Sequence, residues 1–279
     1  MHDTAYELGS LFFDAYCAGS GTELILDVGA MDVNGTLRDC SPPGCVYVGV
    51  DLALGPGVDL VLEDPYSFPF SDGYFDAVIS TSCLEHDQMF WLTFLEMLRV
   101  TRRGGYLYMN CPSNGEYHAY PSDNWRFYPD SGLAFVQWAH RNSQPVTLVE
   151  SFVARRKNDQ WNDCVMVFFR GDKEEISETR LISDTYRACF NIRTFRSEDL
   201  ENFSKQTEDA LLLKARLDQV QELEGCSGFK STGPEPHVVE DLAARFDANE
   251  RRLATVDRQL RIFRAALENI ERRATGIVG

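Results

Sequence analysis

The residues best able to do chemistry in this chain stand just after short apolar runs. Asp27 and Gly29 end the run that starts at Glu23, Asp51 follows residues 46–50, Asp64 follows 58–62, and Ser82 follows 75–80. Carboxylates accept hydrogen bonds from hydroxyl and amino groups and attract cationic centres, and a glycine lets backbone approach a ligand. A second set comprises His86, then His118, Asp123, Tyr117, Tyr120, Trp125 and Arg126 in the stretch after Pro112. Imidazole or carboxylate takes a proton from a hydroxyl. Aromatic faces fit a sugar ring, and Arg126 with Trp125 would clamp a sugar or a phosphate-bearing acceptor. Two plainer roles compete: His86, within Glu85-His86-Asp87, starts a helix, and Arg126 stacks on Trp125 or Phe127 to fix its loop. No His/Cys/Asp cluster shows clear metal spacing, so a metal-dependent transfer is possible but has no support in the sequence.

The elements that must position these groups are legible as seven runs: 23–28, 46–50, 58–62, 75–80, 106–111, 147–153 and 164–169. They are continuously apolar, as strands covered on both faces should be. Between them, 90–100 reads as a helix with Trp91, Leu95 and Leu98 on one face and Arg102, Arg103, Gly104 and Gly105 as its cationic last turn and stop; 129–139 reads as another, with Pro129 at its start. Strands alternating with helices give an α/β fold, a doubly wound, mostly parallel sheet of seven strands. The polar link 156–163 is too short for a crossover, so the last two strands should form an antiparallel hairpin. In such sheets the ligand crevice lies at the carboxyl ends of the strands, where the acids stand. Asp51 falls at the distance from the first strand at which an acidic side chain receives both ribose hydroxyls. The phosphate-binding GxGxxG pattern is incomplete: Met31 holds the second glycine position, and Asp32 would repel a pyrophosphate. A ligand with an adenosine and a positive centre but no phosphate fits better, and S-adenosylmethionine has that description.

The runs ILDVGAMDVNGTLRD, YVGVDLALGPGVDLVLEDPYSFPFSDGYFDAVISTSCLEHD and LEMLRVTRRGGYLYMNCPSNG together resemble a class I S-adenosylmethionine-dependent methyltransferase over roughly residues 20–170. The resemblance implies a Rossmann-like methyltransferase fold and S-adenosyl-L-methionine as cofactor. Asp27 and Gly29 would form the methionine-side loop, Asp51 would bind the ribose and Leu52 would pack on the adenine. Asp64 would bond the adenine amino group, and Ser82 would line the floor beneath the sulfonium. Met31 departs from the family's glycine-rich loop, leaving Asn34-Gly35 to make the turn. The stretch SNGEYHAYPSDNWRFYPDSGLAFVQWA resembles a group associated with bacterial surface-glycan biosynthesis. That implies O-methylation of a sugar hydroxyl in a glycan or its precursor, with glycosyltransferases as partners. His118, His86 and Asp123 are then the candidate proton carriers, and Tyr117, Tyr120, Trp125 and Arg126 the acceptor-binding set. Competing functions are transfer to a small-molecule amine or phenol, a catalytically silent cofactor-binding scaffold, and a nicotinamide oxidoreductase. The last lacks its pyrophosphate turn and a Tyr-x-x-x-Lys pair.

With 44% hydrophobic residues among 279, the chain can fill one full-sized core. Its 43 acidic against 27 basic side chains give a net charge of -16, which repels nucleic acid and anionic membranes. Residues 1–170 carry 22 acidic and 10 basic side chains, while 171–279 carry 21 and 17, dividing an acidic domain from a nearly balanced tail. Eight scattered cysteines without a CxxC read as reduced small hydrophobes. Neither a basic apolar leader nor a membrane span is legible, so a cytoplasmic location is expected. The tail divides into a connecting segment 171–202, a helix 203–224, a Gly/Ser/Pro linker 225–237 and a helix 238–274. In the last, Val239, Leu242, Phe246, Asn249, Leu253, Val256, Leu260, Phe263, Leu267 and Ile270 alternate steps of three and four, the heptad of a left-handed coiled coil. Arg245–Glu250 and Arg252–Asp257 would pair across a parallel homo-oligomer. The competing arrangement folds the two helices back on each other or onto the domain.

Overall fold

Runs of Val, Ile, Leu and Phe with no polar face need cover on both sides, and the computed structural model of this chain arranges them in one sheet. It describes residues 2–218 except 20, 158–160, 178–179, 207–209, 211–212 and 215–216. Five strands run in parallel: β1 (Leu24–Val28), β2 (Val46–Asp51), β3 (Leu60–Val61), β4 (Phe75–Thr81) and β5 (Thr101–Pro112). β6 (Thr147–Ala154), β7 (Asp163–Phe169), β8 (Cys189–Thr194) and β9 (Ser197–Glu201) pair antiparallel, in the order β3-β2-β1-β4-β5-β7-β6-β8-β9. β6 and β7 make the hairpin that their short link implies, with β7 inserted beside β5.

The sheet thus has nine strands, not seven. The two extra ones lie inside the stretch read as a connector. Val153 pairs with Phe190 and Ala154 with Cys189, but β9 is mostly exposed and Asn191 has φ +53°, so no continuous apolar run marks this edge. A second correction concerns Arg102–Gly105, which begin β5 rather than end a helix. Thr101 already pairs with Phe75, and Arg102 reaches Asp76 at 2.6 Å.

One face of the sheet is covered by α2 (Phe90–Val100) and α3 (Asp130–Arg141), which bury Phe94, Met97, Leu98 and Phe135 against Leu26, Val78, Leu107 and Phe168. Trp91 and Leu95 are only half-buried, because the α2 face turned to the sheet is the Phe94–Met97–Leu98 stripe. The other face is covered by α1 (Asp3–Phe12), which runs into a π-helical turn (Phe13–Cys17), and by α4 (Ile182–Thr185); Leu8 and Phe12 pack there on Ile25, Ile79 and Tyr108. Each such fully buried side chain contributes about 1.5–3 kcal/mol. Glu150 of β6 ties this layer down: its buried carboxylate accepts from Tyr16 Oη at 2.5 Å, from the Ile182 and Ser183 amides at 2.7 and 3.0 Å, and from Ser183 Oγ at 2.7 Å.

Among the described residues the cysteines are free thiols, and no helix is long and apolar enough to cross a membrane. The first compact unit spans Met1–Lys214. In the tail, residues 203–206 are not helical and the first described helical residue is Ala210. The predicted linker and coiled coil lie outside the described residues.

Candidate active site

The loop after β1 is shaped by one glycine. Gly29 has φ +83°, and a Cβ there would stand 2.4 Å from Cys83 Sγ and 2.5 Å from Cys83 Cβ, so a side chain is excluded by conformation and by space. The Gly29 and Ala30 amides both donate to the Val50 carbonyl, at 2.9 and 3.1 Å, and the Met31 amide donates to Asp51 Oδ2 at 3.0 Å. These bonds strap the loop to the end of β2. Asp51 Oδ1 accepts from the Leu52 amide at 2.6 Å; each carboxylate oxygen has two lone pairs, so acceptor capacity remains for a ribose diol. Met31 also acquires a reason. Its Sδ lies 2.1 Å from the place a Gly55 Cβ would occupy, so the thioether fills space that a second glycine keeps open.

Asp27 is buried and accepts from the Tyr47 hydroxyl at 2.7 Å. Burial pushes its pKa up to about 6, against the pull of Tyr47 and Arg38. Leu52 is exposed, as is its neighbour Leu54, and together they offer an apolar surface beside Asp51. Asp64 is exposed and accepts from the Tyr66 amide at 2.9 Å. Ser82 turns the chain out of β4 with φ +51°, its amide donating to the Asn110 carbonyl at 2.9 Å. The crevice fits a cofactor with a ribose and an adenine: a close backbone approach at Gly29, acceptors at Asp51 and an apolar face at Leu52.

The second cluster forms where the loop after β5 folds back onto the turn after β4. The Asn124 and Trp125 amides donate to the Glu85 carbonyl at 2.8 and 3.1 Å, Trp125 Nε1 donates to the Asp87 carbonyl at 2.8 Å, and Asn124 Nδ2 donates to the His86 carbonyl at 2.8 Å. His86 Nδ1 returns a bond to the Ser122 carbonyl at 2.5 Å. This brings His118 to His86, ring centroids 4.8 Å apart and edge-on, with Trp161 at 4.5 Å on its other side. Asp123 accepts from the His118 amide at 2.8 Å and stands 3.3 Å from His118 Nδ1. Arg126 grips Asp123 through two bonds, at 2.5 and 2.7 Å, and holds that carboxyl well below the usual carboxylate range.

Glu85 completes the group. Only 1% exposed, it places Oε1 3.6 Å from His86 Nε2, while Oε2 has no hydrogen-bond partner, and burial pushes its pKa up to about 8. Burial also lowers the pKa of His86. Glu85, His86 and His118 each offer a ligand atom, all within 4.8 Å of one another. Sequence spacing hid this set, because His118 arrives on a separate loop. Of the acceptor-binding candidates, Tyr117 and Tyr120 project into solvent, and Trp125 packs its ring 5.2 Å from Phe90. Besides gripping Asp123, Arg126 bonds the Trp125 and Glu116 carbonyls, so it fixes the loop. It also lines a cavity of about 390 Å³ with Ser113, Asn114, Asn162, Asn191 and Lys205. Nothing local in the sequence connects Trp161, Asn162 or Asn191 to this place; pairing of β7 and β8 into the sheet brings them. Thr81 Oγ1, Asn110 Oδ1 and Asn162 Oδ1 are, like Glu85 Oε2, buried without a partner. All four fall at the carboxyl ends of β4 and β5 or the start of β7, as expected where ligand or water completes the bonding. A second cavity, about 490 Å³, lies by Arg102, Gly104 and Tyr106, away from these ends.

Residues 17–109 match a methyltransferase-domain family. No curated protein matches the chain. Among solved structures, 1,6-didemethyltoxoflavin-N1-methyltransferase of Burkholderia thailandensis, with bound 1,6-didemethyltoxoflavin and S-adenosylhomocysteine, is similar at 17% identity over 60% of this chain and 79% of that one, with a TM-score of 0.49. A SAM dependent methyltransferase from Archaeoglobus fulgidus is similar at 13% identity over 58% and 93%, with a TM-score of 0.43. The family match covers residues 17–109, a third of the chain, and takes in the Gly29 loop and the Asp51 carboxylate; over that stretch the chain is similar to S-adenosylmethionine-dependent methyltransferases.

Proposed function

We propose that the chain O-methylates a sugar-containing acceptor, a surface polysaccharide or its precursor, held in the 390 Å³ cavity lined by Arg126, whose partner Asp123 contacts His118. The observation that carries this reading is the cavity lining: Ser113, three asparagines, Arg126 and Lys205 supply donors and acceptors for several hydroxyls, and the two cations favour an acceptor that also bears an anionic group. S-adenosylmethionine supplies a methyl group on a sulfonium, so the protein's task is to align the acceptor oxygen and remove its proton. His118 Nδ1 faces the Asp123 carboxylate and the Glu116 carbonyl, which leaves the lone pair on Nε2 of a ring set edge-on to His86. Asp123 serves as a positioning residue, since Arg126 keeps it ionised through both oxygens and His118 shares Oδ2. The new C–O bond replaces the C–S bond, and the hydroxyl proton leaves through this cluster. The tail would pair copies of the chain through residues 238–274 and bring them to glycosyltransferases.

The test is transfer from methyl-labelled S-adenosylmethionine to nucleotide sugars and oligosaccharides, set beside phenol and amine acceptors, with products identified by mass spectrometry. Label in a sugar methyl ether is expected; label confined to phenols or amines overturns the acceptor. His118→Ala should bind S-adenosylhomocysteine normally yet lose transfer by about 10²–10⁴-fold.

A further inference from the structure

We propose that Glu85, His86 and His118 form a site for one divalent transition-metal cation of the zinc, cobalt or manganese kind, at the carboxyl end of β4. The two histidines are already in the tautomer such a site needs. His86 Nδ1 meets the Ser122 carbonyl and His118 Nδ1 meets the Asp123 carboxylate and the Glu116 carbonyl, all acceptors, so both protons sit on Nδ1 and both Nε2 lone pairs are left for a ligand. An imidazole whose other nitrogen donates to a carbonyl or carboxylate is the outer-shell arrangement of metal-binding histidines. The third group is a carboxylate, 1% exposed, with Oε2 unpartnered and Oε1 3.6 Å from His86 Nε2. Ligand bonds near 2.0–2.2 Å set neighbouring ligand atoms roughly 3–3.5 Å apart, and the three ligand atoms lie within 4.8 Å, a gap that small side-chain rotations close. Two nitrogens and one oxygen select a first-row transition cation over magnesium or calcium, which prefer oxygen throughout.

Three protein ligands also leave coordination positions open. A cation on His118 Nε2 would take over the lone pair that otherwise receives the acceptor proton, so its use, orienting and acidifying the acceptor oxygen, rests on the methyl-transfer reading; its binding does not. This explains why the loop is bonded so heavily to residues 85–87: those bonds deliver His118, the one ligand remote in sequence.

Untagged full-length protein, dialysed against a chelator, should take up one equivalent of Co²⁺ with visible ligand-field absorption that Zn²⁺ abolishes. Glu85→Gln and His118→Asn should each weaken uptake at least tenfold, while His140→Asn should leave it unchanged. Because the variants remove buried contacts, the unmutated protein gives a second reading: Zn²⁺ should shift the ring Nε2 signals of His86 and His118 in nitrogen-resolved NMR and leave the other three histidines in place. Absence of saturable Co²⁺ uptake, uptake that survives in both variants, or shifts at other histidines overturns the site. A parallel titration with S-adenosylhomocysteine separates the readings: binding without metal uptake defeats the metal site alone, and metal uptake without it defeats the methyl-transfer reading alone.

Discussion

Gly29→Ala is the sharpest test of the loop that would receive the cofactor. The alanine must hold φ near +83°, which costs an L residue about 1–2 kcal/mol. Its methyl would also stand 2.4 Å from Cys83 Sγ and 2.5 Å from Cys83 Cβ, both well inside van der Waals contact. Overpacking of this kind costs about 1–3 kcal/mol after the neighbours shift. The sum, about 2–5 kcal/mol, is a large share of the roughly 5–15 kcal/mol that holds a domain together. The two parts are separable, because Cys83→Gly removes both clashing atoms and leaves the nearest, Cys83 Cα, at an ordinary 3.8 Å. In that background Gly29→Ala should cost only the backbone part, giving a coupling of about 1–3 kcal/mol in a double-mutant cycle measured by urea unfolding. Equal losses in both backgrounds, or a Gly29→Ala variant within about 0.5 kcal/mol of the parent, would refute the close Gly29–Cys83 approach.

Three further outcomes follow from the same region. Asp51→Ala should weaken S-adenosylhomocysteine binding by about 10–100-fold, the worth of one or two charged hydrogen bonds, in a calorimetric titration; unchanged affinity would remove Asp51 from the ribose site. Gly55→Ala should destabilise through Met31, whose Sδ stands 2.1 Å from the new Cβ, and Met31→Ala should restore part of the loss in thermal melts. Asp27 should make stability fall as pH rises: its folded pKa, about 6, exceeds the ordinary 3.8, so between those values the unfolded chain has lost the proton that the native state keeps. The stabilisation is full below about 3.8 and gone above about 6, on the order of 3 kcal/mol across the window, and Asp27→Asn should flatten that slope in urea titrations at several pH values.

The legible part of the fold was the part with one-dimensional periodicity. Both-face burial writes β1, β2, β4, β5, β6 and β7 as continuous apolar runs, and their short links identify the hairpin. What escaped has no such signature. β8 and β9 form an edge whose residues alternate between contact and water, and α1 shows one buried stripe without a capping side chain to announce it. Charge also misled: Arg102 and Arg103 resemble a helix terminus, yet the same two cations satisfy Asp76, Asp172 and Glu175 from the start of a strand.

The site divides along the same line. Gly29, Asp51 and Ser82 stand at strand ends, so the topology alone carries them to the crevice. The second cluster depends on contacts between segments distant in sequence, made by backbone and side-chain hydrogen bonds together. Residues 122–125 bond to the turn at 85–87 through backbone amides and through the Asn124, Trp125 and His86 side chains, and that register sets His118 against His86 beside the buried Glu85. The clamp of Arg126 on Asp123 then fixes the His118 ring from behind. A loop merely covering an acceptor would not require these bonds. A loop that must hold one imidazole within a few ångströms of another and of a buried carboxylate does, since a displacement near 1 Å at such a distance separates a working constellation from an idle one.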